Sequence, residues 1–154
     1  MWHASKKYKT MKEYDYFTLI LHSPLYYFKV NEEPFTYKSK ESELVMAFML
    51  STPESFETDK ENFLSSPLWI GKTSPENTYN QSKNSTALNI PQGQYFFSQI
   101  RKNLNKEECI DFAIEVHKEG LWQRKGLGEF MYIRYLYEDG SPVTQVLREI
   151  KTAQ

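Results

Sequence analysis

The order of hydrophobic and polar residues predicts β-strands in the N-terminal half of the chain. Residues 14–30 are rich in Tyr, Phe, Leu, Ile and Val, and a His-Ser-Pro run interrupts them at 22–24. This pattern is typical of two strands around a turn or of one bent strand. Residues 42–50 and 66–71 have the composition of two further strands, although the first of them also contains residues that favour a helix.

One amphipathic helix is predicted for residues 106–120. Asn105 and Glu108 have the spacing of a capping box, in which two side chains accept hydrogen bonds from backbone N–H groups at the start of a helix. Apolar or small residues then recur at the spacing of one helix face: Cys109, Phe112, Ala113, Val116 and Gly120. We expect this face, including Cys109, to pack on a sheet, whereas His117 is expected at the surface.

A strand and a β-hairpin are predicted around this helix. Residues 95–100 form an apolar run of strand length, and residues 129–137 and 142–150 are joined by an Asp-Gly turn. The first hairpin strand is apolar on both faces, which predicts cover on both sides. Arg134 lies within this strand, so it must either pair with an acid such as Glu149 across the hairpin or face a polar ligand.

These elements predict an α+β fold with a curved antiparallel sheet, one principal helix at about 106–120 and a shorter helix at about 53–64. The shorter helix is predicted because Thr52 suits an N-cap and a proline follows it. Residues 1–13 are expected to form a solvated N-terminal arm and residues 14–154 a single domain.

The longest predicted loop spans residues 72–86. It is dense in Asn, Ser and Thr, and structureless segments of this length are usually functional or mobile. A lid over a pocket and a plain surface loop both agree with the composition.

Composition and charge narrow the class of protein. The 154 residues include 16% aromatic and 25% charged residues, with a formal net charge of −1. This balance does not favour binding to nucleic acid or to an anionic membrane surface, and no apolar run is long enough to cross a bilayer as a helix. The one cysteine cannot form an intramolecular disulfide, and the N-terminus lacks the apolar run of a signal peptide, so we expect a cytoplasmic protein.

The C-terminal half resembles a known ligand-binding family. The run Ile-Pro-Gln-Gly-Gln-Tyr-Phe at 90–96, followed by a helix and two strands, resembles one repeat of the gyrase-inhibitor-like effector-binding domains, also called SOUL-like. In that family, two strand-helix-strand-strand repeats form a curved sheet whose concave side holds small, often hydrophobic or cationic molecules. The resemblance covers residues 90–150 and implies a ligand-binding sheet.

The sequence contains no grouping typical of catalysis or metal binding. His3, His22 and His117 include no pair at the spacing of a helical metal site, and neither a glycine-rich phosphate loop nor a Gly-x-Ser-x-Gly motif is present. We therefore predict no catalytic residue, no metal ligand and no cofactor, and we do not expect an enzyme.

The aromatic content favours non-catalytic binding of a small molecule or peptide in an aromatic pocket. The predicted ligand-binding residues are Trp69, Trp122, Arg134, Tyr135 and His22. The alternative is a protein–protein interaction or homodimerisation module without a small-molecule ligand, in which the aromatic residues form an exposed, flat patch.

Overall fold

The computed structural model describes residues 14–30, 43–49, 69–73 and 87–151. These residues form eight strands and one helix, in the order β1 (Phe17–Leu21), β2 (Leu25–Lys29), β3 (Leu44–Met49), β4 (Trp69–Lys72), β5 (Ala87–Ile90), β6 (Gly93–Ile100), α1 (Lys106–Trp122), β7 (Leu127–Glu138) and β8 (Ser141–Ile150).

Three predicted segments fall wholly or largely elsewhere in the chain. The N-terminal arm at 1–13, the shorter helix at about 53–64 and residues 74–86 of the predicted loop lie outside the described residues. The structure therefore does not test them.

The eight strands form one antiparallel sheet in the order β1-β6-β8-β7-β3-β4-β2-β5. The predicted α+β class with a curved antiparallel sheet and a principal helix is confirmed. The sequence analysis does not predict β5, a strand of four residues that ends at Ile90.

The sheet curls because two bent chain segments contribute to both ends of the strand order. Three residues separate β1 from β2, and two separate β5 from β6. The β1/β6 ladder reaches the pair Leu21 and Gly93, and the β2/β5 ladder begins at Leu25 and Ile90. The two segments thus pair along both ladders, which brings the ends of the sheet together. The predicted interruption at 22–24 is confirmed as the bend between β1 and β2.

Hydrophobic clusters lie on the two opposite faces of the sheet. On one face, helix residues such as Phe112 and Val116 pack with strand residues such as Met46 and Ile133. The other cluster contains residues from all eight strands, including Leu19, Tyr27, Val45, Trp69, Ile90, Tyr95, Tyr132 and Leu147. Because both ends of the strand order contribute to it, this second face is the inside of the curl. We call it the inner face and the opposite one the helix face.

Local signals in the C-terminal half produce the elements they predict. The Asn105 side chain accepts from the Glu108 backbone N–H at 2.8 Å, and the Glu108 carboxylate accepts from the Asn105 N–H at 3.1 Å. The helix continues to Trp122, two residues beyond its predicted end. In the hairpin turn, Asp139 and Gly140 have φ values of 53° and 80°, as a tight turn between twisted strands requires.

Candidate functional site

A row of polar side chains crosses the largely apolar inner face near one end of the curl. The strand register places Gln99 beside Gln145 and Gln145 beside Arg134, on three neighbouring strands. Glu43 precedes β3, and its backbone bonds to Thr73 extend the β3/β4 pairing beyond Leu44. This short extension places the Glu43 carboxylate next to Arg134.

Hydrogen bonds join these side chains into one network. The Arg134 guanidinium donates to Glu43 Oε1 from Nη2 at 2.7 Å and from Nε at 3.2 Å. Tyr27 donates its hydroxyl proton to the same oxygen at 2.8 Å and accepts from Arg134 Nε at 3.0 Å. Arg134 Nη1 donates to Gln145 Oε1 at 2.7 Å, and Gln145 Nε2 donates to Gln99 Oε1 at 2.9 Å. We call these five residues the inner-face network.

The network is enclosed but not sealed from solvent. The Arg134 side chain is 12% exposed and the Glu43 side chain 28%. Burial lowers the pKa of Arg134, but the neighbouring Tyr27 and Glu43 outweigh that effect and raise it above its ordinary value. Burial also raises the pKa of Tyr27, which therefore stays protonated. The network thus contains one cation, one anion and neutral hydrogen-bonding groups.

An indole ring lies beside the network because a glycine makes room for it. A Cβ atom at Gly71 would come within 2.0 Å of the Trp69 ring, so the ring occupies the place of a side chain at Gly71. Gly71 is paired with Val45, which in turn is paired with Arg134. The Trp69 ring therefore lies in the row of residues that contains Arg134.

Aromatic rings continue along the inner face away from the charged residues. Phe130 and Tyr132 are stacked with ring centroids 6.3 Å apart, and Tyr95 meets Tyr132 edge-on at 6.1 Å. The Tyr95 hydroxyl donates to the Pro91 carbonyl at 2.6 Å. The inner face therefore carries the network at one end and these rings, with Glu149 opposite Tyr95, at the other.

The structure brings together only two of the five predicted ligand-binding residues. Trp69 and Arg134 share the inner face. Tyr135 lies on the helix face, where its hydroxyl is 3.4 Å from the Leu104 carbonyl oxygen and 3.7 Å from Cys109 Sγ. Trp122 is 81% exposed at the end of α1, and His22 is exposed at the bend between β1 and β2.

Sequence reasoning did not select Glu43, Tyr27, Gln99 or Gln145. Counting back from the Asp-Gly turn places Gln145 opposite Arg134, so this one neighbour could have been found from the hairpin alone. Glu43 and Tyr27 reach Arg134 through strand pairing that is distant in sequence, for which no local signal exists.

The prediction that Arg134 pairs with Glu149 across the hairpin is wrong. A register shift between Leu127 and Met131 interrupts the β7/β8 ladder. Glu149 lies at this irregularity, where its Oε1 accepts from the backbone N–H groups of Glu129 at 3.0 Å and Phe130 at 3.3 Å. Glu149 therefore satisfies the backbone of a β-bulge, and Glu43 is the acid that pairs with Arg134.

A second arginine is buried on the helix face. Arg148 is 1% exposed; its Nη1 lies 2.8 Å from His117 Nδ1, and its Nη2 donates to the Gly128 carbonyl at 3.2 Å. Because a guanidinium can only donate, His117 Nδ1 must accept and its ring proton lies on Nε2. The expected surface position of His117 is wrong, since the imidazole is buried against Arg148. Burial lowers the pKa of Arg148 to about 10.

Cys109 belongs to the core, as the apolar stripe of the helix predicts. It is fully buried, and burial raises the pKa of its thiol to about 12, so it is not an activated nucleophile. Within the described ranges, no group of three or more His, Cys, Asp or Glu residues could hold a metal ion.

A surface pocket of about 460 Å³ lies between the end of β6 and the start of α1. Two cations line it, but Lys102 pairs with Glu108 at 2.8 Å and Arg101 pairs with Glu138 at 3.4 Å. Both ion pairs are exposed to solvent, and exposed ion pairs contribute little to the stability of a fold. The inner-face network is therefore the stronger candidate site.

Comparisons with known proteins add no relative. No protein-family model matches the chain, and a search of curated proteins found no matching sequence. In the part of the chain that the structure describes, no helix is long and apolar enough to cross a membrane.

Proposed function

We propose that this protein binds a small polar molecule, without catalysis, on the inner face of its curled sheet. The observation that carries the proposal is the Arg134–Glu43 pair, which lies on a largely apolar face with Tyr27 bonded to both residues. A binding site of this kind combines apolar walls with a few convergent polar groups.

Stability alone gives a weak reason for such a pair. Removing two charges from water costs free energy, and packed hydrophobic residues in their place are often equally or more stable. The Glu43 carboxylate is also partly open to solvent, so a molecule entering the end of the curl can reach it. Recognition of a ligand accounts both for the presence of the two charges and for the exposure of the Glu43 carboxylate to solvent.

Native mass spectrometry of freshly purified protein tests the proposal. We expect the wild-type chain to retain a small-molecule mass and Arg134→Leu to lose it. The matched control is Arg101→Leu, because Arg101 also forms an ion pair but lies at the surface. A wild-type chain without any adduct, or an adduct that persists in Arg134→Leu, contradicts the proposal.

The exposed end of α1 favours a second candidate function, homodimerisation. Trp122 is 81% exposed and Leu121 beside it is 43% exposed. Large aromatic side chains are enriched at protein interfaces and dominate their binding energy. Sedimentation of wild-type protein and Trp122→Ser tests this function. A wild-type dimer that dissociates in Trp122→Ser supports it, whereas a wild-type monomer excludes it.

A further inference from the structure

The inner-face network retains both a hydrogen-bond acceptor and hydrogen-bond donors that are not in use. Among the described residues, every side-chain donor to the Glu43 carboxylate donates to Oε1 and none donates to Oε2. Arg134 has five N–H groups, of which the network uses one at each nitrogen atom, so one remains at Nη1 and one at Nη2. An open acceptor and open donors therefore lie within one residue pair.

Gln99 adds donors at the far end of the network. Its Oε1 accepts from Gln145, while its amide nitrogen has no acceptor among the described residues. A molecule over the network can thus donate to Glu43 and accept from Arg134 or Gln99. Leaving such partly buried groups without partners is costly, so a molecule that supplies only donors or only acceptors is at a disadvantage.

Charge selects further among such molecules. The Arg134–Glu43 pair is neutral as a unit, because each charge has its counterpart 2.7 Å away. A carboxylate ligand would place two anions against one guanidinium, and an ammonium ligand would place two cations against one carboxylate. Both additions leave one charge without a counter-ion among the five network residues, in a place only partly open to solvent, which is unfavourable.

Shape gives the last constraint. The Trp69 ring covers Gly71 in the same row as Arg134, so it borders the network as an apolar wall. The open groups belong to a planar guanidinium and a planar carboxylate, which favour a planar group as their hydrogen-bond partner.

We infer that the inner-face network takes an uncharged planar group presenting a hydrogen-bond donor beside an acceptor, such as a carboxamide or a cyclic amide. The inference rests on the proposed function and specifies the ligand class of the same site. The donor of the ligand faces Glu43 Oε2, and its acceptor faces the open N–H groups of Arg134 and Gln99.

Three probes of nearly identical shape separate the possible charges. Benzamide, benzoate and benzamidinium share one ring and carry a neutral, an anionic and a cationic polar group. We would titrate each into the full chain and follow the Trp69 indole N–H by NMR, assigned from its absence in Trp69→Phe. Fragments of this size bind weakly, so concentrations up to about 10 mM are needed.

The wild-type titrations decide the inference without any variant. We expect benzamide to bind roughly tenfold or more tightly than either ion, since one uncompensated charge costs at least that factor. Equal or tighter binding of benzoate or benzamidinium overturns the ligand class but leaves the proposed function standing. If none of the probes shifts the signal, the ligand class is overturned. The proposed function still stands in that case if native mass spectrometry shows a retained mass that depends on Arg134.

Removing either charge of the pair should change which probe binds most tightly, and the two substitutions should favour probes of opposite charge. Glu43→Gln leaves Arg134 without its counter-ion, so benzoate should become the tightest probe. Arg134→Met leaves the Glu43 carboxylate, so benzamidinium should become the tightest. Lys102→Met, which removes a surface cation paired with Glu108, should keep the wild-type order. Failure of both reversals in folded variants contradicts the inference, because charge compensation would then not set the preference.

Discussion

Two arginines in one hairpin differ in the face they occupy and in the partners they have there. Arg134 on β7 faces the inside of the curl, contacts a carboxylate and remains 12% exposed. Arg148 on β8 faces α1, contacts an imidazole and a backbone carbonyl, and is 1% exposed.

Residue type alone does not mark a site. No carboxylate among the described residues pairs with Arg148, and its Nε has no hydrogen-bond partner there, yet a ligand cannot reach it through the packed helix. Arg148 holds the backbone at Gly128, at the irregular start of the hairpin. Arg134 is satisfied by its network and still open at one side. Both arginines keep an unbonded N–H, so access to solvent is what distinguishes the two roles.

The largest expected effect is on the helix face. Arg148→Ala should lower the free energy of unfolding by about 3–5 kcal/mol, because it leaves a cavity and two buried acceptors without their donor. Urea unfolding followed by circular dichroism measures the change. Arg101→Ala, at an exposed ion pair, is the control and should change stability by less than about 0.5 kcal/mol. Comparable effects of the two substitutions would show that burial of Arg148 does not decide its contribution.

A smaller loss of unfolding free energy is expected on the inner face, because water reaches the Glu43 carboxylate that remains after Arg134 is replaced. Arg134→Met should cost about 1–3 kcal/mol, since it leaves the partly exposed Glu43 carboxylate without its cation. Adding Glu43→Gln should recover part of this loss, giving a coupling energy within the usual range of about 0.5–3 kcal/mol. A double-mutant cycle in urea measures it. Strictly additive losses would mean that the pair does not act as a unit.

Alkaline pH should weaken the helix face through Cys109. Burial raises the pKa of this thiol from an ordinary value of 9.0 to about 12. The unfolded chain therefore loses the proton first, and stability falls as pH rises from 9 towards 12. The slope contributed by one such group approaches about 1.4 kcal/mol per pH unit. Unfolding free energies at pH 8, 9 and 10 should fall less steeply in Cys109→Ala, and identical slopes would contradict the assignment.

The smallest stability effect is expected outside both faces. Trp122 is exposed, so Trp122→Ser should change the unfolding free energy of a monomer by no more than about 0.5 kcal/mol. Thermal unfolding at two protein concentrations measures this and detects association. A large loss that depends on concentration would instead assign Trp122 to an interface.

The fold was predictable where its signals are local. The capping box at Asn105 and Glu108, the Asp-Gly turn and the apolar stripe of α1 each act within a few residues, and each appears in the structure as predicted. The pairing of β2 with β5 has no such signal, because it depends on how the whole sheet curls.

The site was predictable only in part, for the same reason. Arg134 stands out as a charge within an apolar strand, and Trp69 as a tryptophan in a short predicted strand. Glu43 and Tyr27 look ordinary in sequence and become partners of Arg134 only through the pairing of β3 and the position of β2. His117 was misjudged because helical spacing alone did not show that the helix buries more than its apolar stripe.

The curl also has a consequence for folding kinetics. Its two closing ladders join residues far apart in the chain, as in the pairs Phe17 with Phe97 and Tyr27 with Leu88. Bringing such distant residues together costs conformational entropy before the ladder contacts form and stabilise the fold. Closure should therefore be a slow step that follows formation of the β7/β8 hairpin. Because Tyr27 lies within the β2/β5 ladder, we expect its contact with Arg134 to form at this late stage of folding.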